Sequence, residues 1–192
     1  AIRSFGTLEQ KSPKKFIKVI KKIEIKENSK FISIEPLDKD LIIDFEIVYK
    51  NPLIRTRRKE FKLSNGDLTS IYNSRTFCLY EDIDQIRKQG LAKGGSLDNA
   101  IVVQENKLLN YDGLRNRDEF VNHKILDCLG DLMLSGHRIF GHIKTSQGGH
   151  QLTNSLLRKF LADKSSWKYE DLEKKDKDQK DSNYISSIAV NA

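Results

Sequence analysis

The stretch that most constrains the fold is Arg117 to Leu134, RDEFVNHKILDCLGDLML. At about 100° per residue, Val121, Ile125, Leu126, Cys128, Leu129, Leu132 and Met133 fall on one broad arc. That arc predicts a helix with one face committed to a core. The opposite arc carries His123, Asp127 and Asp131, with Lys124 and Gly130 beside them. Residues four apart sit one turn above each other, so His123 and Asp127 offer an imidazole and a carboxylate from one rigid surface. A metal ion needs such a pair of nitrogen and oxygen donors. An ordinary solvated helix face has the same pattern, and spacing alone does not separate the two. Gly130 leaves the rim of this surface bare. Asn116 is placed to cap the helix, with Glu119 three residues on completing a capping box. Gly136 is placed to close it.

Around this helix the chain reads as strands first and helices late. Lys15–Ile25, Phe31–Glu35 and Leu41–Tyr49 are predicted strands, and we expect them to form an antiparallel meander with one wet face. Ile43, Phe45, Ile47 and Tyr49 alternate with Asp44, Glu46 and Val48 in the third. Glu27-Asn28-Ser29 is a turn, and Asn51-Pro52 stops the third strand. Shorter elements follow: a strand at Glu60–Leu63, helices at Leu68–Tyr72 and Asp82–Gln89, and strands at Ala100–Val103, Lys107–Asn110 and Ile139–Ile143. A last helix is marked by Leu152, Leu156, Leu157, Phe160 and Leu161. This order predicts an α+β fold, a mainly antiparallel sheet with two long helices packed on one face. Residues 1–14 read as a linker and 15–163 as the domain. Residues 164–192, with the charged run YEDLEKKDKDQKDSNY, read as a disordered tail.

At 192 residues, 38% hydrophobic and 32% charged, the chain can build one real core and reads as globular and soluble. No apolar run has the length of a transmembrane segment, and AIRSFGTLEQ lacks the apolar region of a signal peptide. Cys78 and Cys128 read as reduced thiols, so the expected compartment is the cytoplasm. The net charge of +7 is concentrated in residues 1–30 and in Arg55, Arg57, Arg58, Lys59 and Lys62. Such clusters are either solvated strand edges or attract an anionic ligand: a nucleotide diphosphate, a nucleic acid or a membrane. Few aromatics interleave with them, which argues against nucleic acid.

Gly148-Gly149-His150 lies at a strand-to-helix junction, where paired glycines permit a sharp turn and close approach of a ligand. His150 at that helix N-terminus is a candidate acid or base. Gly94-Gly95-Ser96 lacks the spacing of a phosphate loop. His137 is isolated, and His142 alternates with apolar neighbours and reads as structural.

HxxxDxxxD followed by GGH is more specific than either part. With these motifs the chain resembles the UDP-3-O-acyl-N-acetylglucosamine deacetylase family of bacterial lipid A synthesis. The resemblance rests on Arg75-Thr76-Phe77, GLAKGGSLDNAIVV (Gly90 to Val103), GLRNRDEFVNHKILDCLGDL (Gly113 to Leu132) and GGHQLTN (Gly148 to Asn154). Lys14-Lys15-Phe16-Ile17 resembles the entry into the family's second half, and the likeness is collinear from about residue 12 to residue 163. The family implies a zinc amidohydrolase acting on UDP-3-O-acyl-N-acetylglucosamine, with Zn2+ held between two similar α+β domains. This chain resembles the second domain only, half of a two-domain α+β sandwich. His123 and Asp127 match two zinc ligands. His150 matches the catalytic histidine, Asp131 the carboxylate that orients it, and Thr76 a hydroxyl near the oxyanion. Lys124 matches a residue at the nucleotide phosphates. Phe77, Ile83, Ala92, Ser96, Leu97, Ala100 and Val102 match the wall of the acyl passage. The third zinc ligand and the general-base glutamate belong to an absent first domain, so the chain alone is expected to bind zinc weakly and not to deacetylate. Gln147 stands where the family often has lysine, and Cys78 and Leu79 where glycine and phenylalanine are common. Two other readings remain open on the residues: a complete metallohydrolase with His150 as third ligand, and a non-catalytic module binding a nucleotide sugar or acyl chain.

Overall fold

The computed structural model describes residues 14–171. Ten strands are described: β1 (Lys15–Val19), β2 (Ile23–Glu27), β3 (Lys30–Glu35), β4 (Leu41–Ile47), β5 (Arg57–Lys62), β6 (Thr76–Leu79), β7 (Ala100–Gln104), β8 (Lys107–Leu108), β9 (Arg138–Ser146) and β10 (Trp167–Asp171). The α-helices are α1 (Leu68–Tyr72), α2 (Ile83–Lys88), α3 (Glu119–Leu132) and α4 (His150–Ala162). The class is α+β, as the order of elements predicts. α3 and α4 are the long helices, with α1 and α2 one or two turns each.

Strand β9 organises the seven-stranded sheet. It runs antiparallel to β3, from Phe31↔Ser146 to Glu35↔His142. It runs parallel to β4, from Leu41↔Gly141 to Glu46↔Ser146. Its first three residues also pair in parallel with β1. β9 therefore separates β3 from β4, and the expected three-strand meander is corrected to the single hairpin β2–β3. Non-local pairing of this kind leaves no mark in local alternation. The predicted first strand is also two, β1 and β2. Between them the N–H groups of Ile20 and Lys21 both donate to the Ser166 carbonyl, which draws the chain off the ladder.

β10 corrects another expectation. Trp167–Asp171 falls in the stretch whose charge predicts a disordered tail, yet it pairs antiparallel with β1 along Val19↔Trp167 to Lys15↔Asp171. An edge strand needs backbone partners and only one apolar row, here Trp167 and Tyr169; their rings meet edge-on at 5.1 Å. The linker 1–13 and residues 172–192 lie outside the described residues.

α3 packs over β4 and β5, and α4 over β2 and β3, so the two helices lie side by side on one face. Ile32, Ile34, Ile43, Phe45 and Ile47 rise from the sheet to meet Val121, Ile125, Cys128 and Leu132 of α3 and Leu152, Leu156, Leu157 and Phe160 of α4. Each such side chain contributes about 1.5–3 kcal/mol by leaving water. Burial pushes the Cys128 thiol up to about 12, as expected of an inert core cysteine. Tyr49 lies beyond the end of β4 and is partly exposed.

The ends of α3 differ from the prediction. The α-helix starts at Glu119, and Met133–Ser135 tighten into a 3-10 turn closed by Gly136 at φ +78°. Met133, expected in the core, is 56% exposed because that turn rotates it outward, while Phe120, off the predicted arc, is fully buried. Asn116 does support the first turn: its side-chain oxygen accepts from the Asp118 N–H and from Asn122 Nδ2. Glu119 does not reach back to Asn116. Its buried carboxylate accepts from the Arg115 N–H at 2.6 Å and from Arg75.

The small sheet β6–β7–β8 stands apart, with β6 and β7 parallel and β8 antiparallel. It joins the main body through the fully buried Ile101 and Val103, which belong to the common core, and through Phe77, whose ring meets that of Phe120 edge-on at 5.0 Å.

Candidate functional site

The exposed face of α3 and the N-terminus of α4 meet at one polar cluster. His123 Nε2 lies 3.3 Å from Asp127 Oδ1. His150 Nε2 lies 4.0 Å from the same oxygen, although 27 and 23 residues respectively separate His150 from His123 and Asp127 in the chain. One turn further along α3, Asp131 receives His150 Nδ1 at 2.9 and 3.0 Å. The row inferred from helical spacing is thus one surface, and the imidazole after the paired glycines faces it.

The hydrogen bonds define the tautomers. His123 Nδ1 is 3.2 Å from the Ser74 carbonyl, which can only accept, so Nδ1 carries the hydrogen and Nε2 presents its lone pair. By the same logic the Asp131 carboxylate takes a hydrogen from His150 Nδ1 and leaves Nε2 turned to the cluster. Burial pulls the His123 pKa below its ordinary 6.5, with Asp127 opposing. The neutral ring that results is the form that binds a metal. Asp127 also accepts from Lys124 Nζ at 3.1 Å, and that ammonium lies 5.8 Å from the Phe77 ring centroid.

Gly148 serves packing rather than ligand approach. A Cβ there would sit 2.5 Å from Thr145 Oγ1 and 3.2 Å from Phe45 Cζ. Gly149 and Gly130 face open space. Thr76 is exposed at the start of β6, two residues after the Ser74 carbonyl that holds His123. Phe77 is half-buried, with its ring 6.5 Å from that of His123. Ile83 and Ala100 are half-buried, Val102 is buried, and Ala92, Ser96 and Leu97 are exposed on the loop between α2 and β7. That loop is braced by a residue no motif singled out. The buried Asn110 donates to the carbonyls of Leu97 and Ala100 and accepts from the Val102 N–H. An apolar cleft of about 250 Å³ lies elsewhere, between Leu41, Leu129, Met133 and Ile139, and includes none of these residues.

The basic cluster is largely neutralised. Arg57 pairs with Asp118, Arg58 with Asp44 and Lys62 with Asp40, while Lys59 donates to Asn122. His142 is on β9 outside the site, its buried Nε2 without a hydrogen-bond partner among the described residues. His137 stacks edge-on with Tyr169.

Among the described residues, no three histidine, cysteine or carboxylate side chains form a group that can hold a metal ion. His123 and Asp127 are two donors of suitable chemistry. The outer nitrogen of His123 is fixed by a carbonyl, as is usual for a metal-ligating imidazole. They fit half of a coordination set.

Two imidazoles and two carboxylates therefore meet where two adjoining helices pack, on an α+β body. The profile of the LpxC family, described as UDP-3-O-acyl N-acetylglycosamine deacetylase, matches residues 1–162. Proteins named UDP-3-O-acyl-N-acetylglucosamine deacetylase are similar to most of the chain. That of Pseudoalteromonas translucida is 42% identical over 167 residues, covering 85% of this chain and 55% of its own length. That of Haemophilus ducreyi is 40% identical over 167 residues, with the same coverages. That of Cellvibrio japonicus is 39% identical over 192 residues, covering 98% and 62%. The chain belongs to the UDP-3-O-acyl-N-acetylglucosamine deacetylase family, and it spans between 55% and 62% of the length of these relatives.

Proposed function

We propose that this chain is the part of a zinc-dependent deacetylase of UDP-3-O-acyl-N-acetylglucosamine that carries two metal ligands and the proton-transferring histidine. A preceding domain would bring the third ligand and the general base. The observation that carries this reading is the convergence of His123 Nε2 and His150 Nε2 on Asp127 Oδ1, with each ring's other nitrogen already engaged.

His123 Nε2 and the Asp127 carboxylate would hold the metal. When bound, a divalent metal supplies a Lewis acid and a water acidic enough to attack an amide near neutral pH. His150, held by Asp131, keeps Nε2 over the same space; in its doubly protonated form it would deliver the Nε2 proton to the leaving amine and return to the neutral ring. The Thr76 hydroxyl donates to the carbonyl oxygen as negative charge builds there. Lys124 meets the diphosphate, and the wall residues from Phe77 to Val102 receive the acyl chain. A carboxylate behind Nδ1 suits either an acid or a ligand at Nε2, and it is the likeness of Gly148-Gly149-His150 to the family's catalytic-histidine motif that favours the acid role.

Zinc titration and a deacetylation assay on the 192-residue chain test the proposal. The expected result is zinc binding weaker than nanomolar, no turnover by the chain alone, and turnover once the missing first domain is supplied. Nanomolar zinc affinity or turnover by the chain alone contradicts the division of the site. Failure to bind both UDP and fatty acid contradicts the substrate.

A further inference from the structure

The segment Ser74-Arg75-Thr76 is held by a buried ion cluster. Arg75 is 4% exposed and Glu119, the first residue of α3, is wholly buried. The Arg75 backbone N–H and Nε both donate to Glu119 Oε1, at 3.0 and 2.9 Å. Nη2 donates to the Gly113 carbonyl at 2.6 Å and to Glu119 Oε2 at 3.3 Å. Nη1 spans both oxygens of Asp112, at 2.9 and 3.1 Å. All three guanidinium nitrogens are thus engaged, and a planar fork used in this way leaves little freedom for its backbone.

Burying a guanidinium and a carboxylate is costly, and an apolar pair of similar size often holds a fold as well or better. What an apolar pair cannot do is fix a direction. Glu119 lies one turn below His123 on α3, and Arg75 is bonded to Ser74, whose carbonyl takes the His123 Nδ1 hydrogen. The path from Glu119 through Arg75 and the Ser74 carbonyl returns to the helix it started from, closing a ring around the imidazole.

We propose that Arg75 and Glu119 are positioning residues for His123: they hold the Ser74 carbonyl where it enforces the Nδ1–H tautomer and aims Nε2 at Asp127. This rests on the proposed metal role of His123 for its function, but the positioning is read without metal.

The test is nitrogen-15 NMR of the His123 imidazole in the metal-free 192-residue chain, with zinc titration alongside. The wild type is expected to show the Nδ1–H tautomer. Arg75→Lys and Glu119→Gln are expected to shift it towards Nε2–H and to weaken zinc binding roughly 10- to 100-fold. Ile32→Val, a core truncation on β3, should leave both readouts unchanged. An Nε2–H wild type overturns the proposal outright. So do folded variants with the wild-type tautomer. Should neither buried variant fold, Asp112→Asn loosens the fork from its exposed end; an unchanged tautomer there overturns the proposal and a shift supports it. A wild type with the expected tautomer and no zinc affinity supports the positioning and contradicts the metal role.

Discussion

At the junction of α3 and α4, the groups that face the cluster each have a second partner behind them: Ser74 for His123, Lys124 for Asp127, Asp131 for His150. They stand on two helices packed against a seven-stranded sheet. The β6–β7–β8 sheet is built differently. Its strands are two to five residues long, and Ala92, Ser96 and Leu97 lie exposed on the loop that joins α2 to β7. Groups that move protons or bind metals need placement to a fraction of an ångström, which a rigid body supplies. A wall for an alkyl chain needs only apolar surface, which short strands and an exposed loop supply. The molecule thus puts the proposed metal ligands and proton donor on the helical body and the proposed acyl wall on the small sheet and the elements leading into it, with Thr76 at the boundary.

That separation can be broken by kinetics. In an enzyme completed by the proposed first domain, His150→Ala should lower kcat by about 10²–10⁴-fold. Leu97→Ala should leave kcat near wild type and change the ranking of substrates that differ in acyl length. Equal losses of kcat in the two variants would erase the distinction.

Stability should divide the same way. Phe120→Ala empties a fully buried site where the two bodies join and should cost about 3–5 kcal/mol in denaturant unfolding. Leu97→Ala, at 41% exposure, should stay within about 0.5 kcal/mol. A large loss in the second variant would mean that the small sheet is as tightly built as the first body.

A smaller effect comes from acid. Burial pushes the Glu119 carboxyl up, but bonds from Arg75 and the Arg115 N–H outweigh it and hold the group below its ordinary 4.5. A depressed native value means that the stabilisation is fully present above about pH 4.5 and is lost as pH falls through that native value. Glu119→Gln should therefore lower stability at neutral pH and flatten its decline in acid. An unchanged acid limb would show that the ion cluster is not coupled to folding.

How much of this could be read from sequence depended on range. The 3.6-residue rhythm of α3 and α4 is local, and both helices were legible, as was the placement of His123, Asp127 and Asp131 on one face. β9 was legible as a short strand but not as the hub of the sheet, because its three partners lie roughly 100 to 120 residues away in the chain. β10 was hidden by its charges. Glu119 matched a capping box so well that its real partner, 44 residues earlier, left no trace. The metal reading came from the family motifs, since helical spacing alone is shared by any solvated face. No local signal points to Ser74, whose part is played by a backbone carbonyl.

The proposed division of roles requires His123 and Asp127 to hold a metal and His150 to stay off it. Anomalous diffraction at the zinc edge from crystals of the chain soaked in zinc tests it most directly. The expected result is a peak about 2.0–2.2 Å from His123 Nε2 and from an Asp127 oxygen, with His150 still bonded to Asp131. A zinc ion ligated by His150 Nε2, or zinc bound only away from α3, would contradict it.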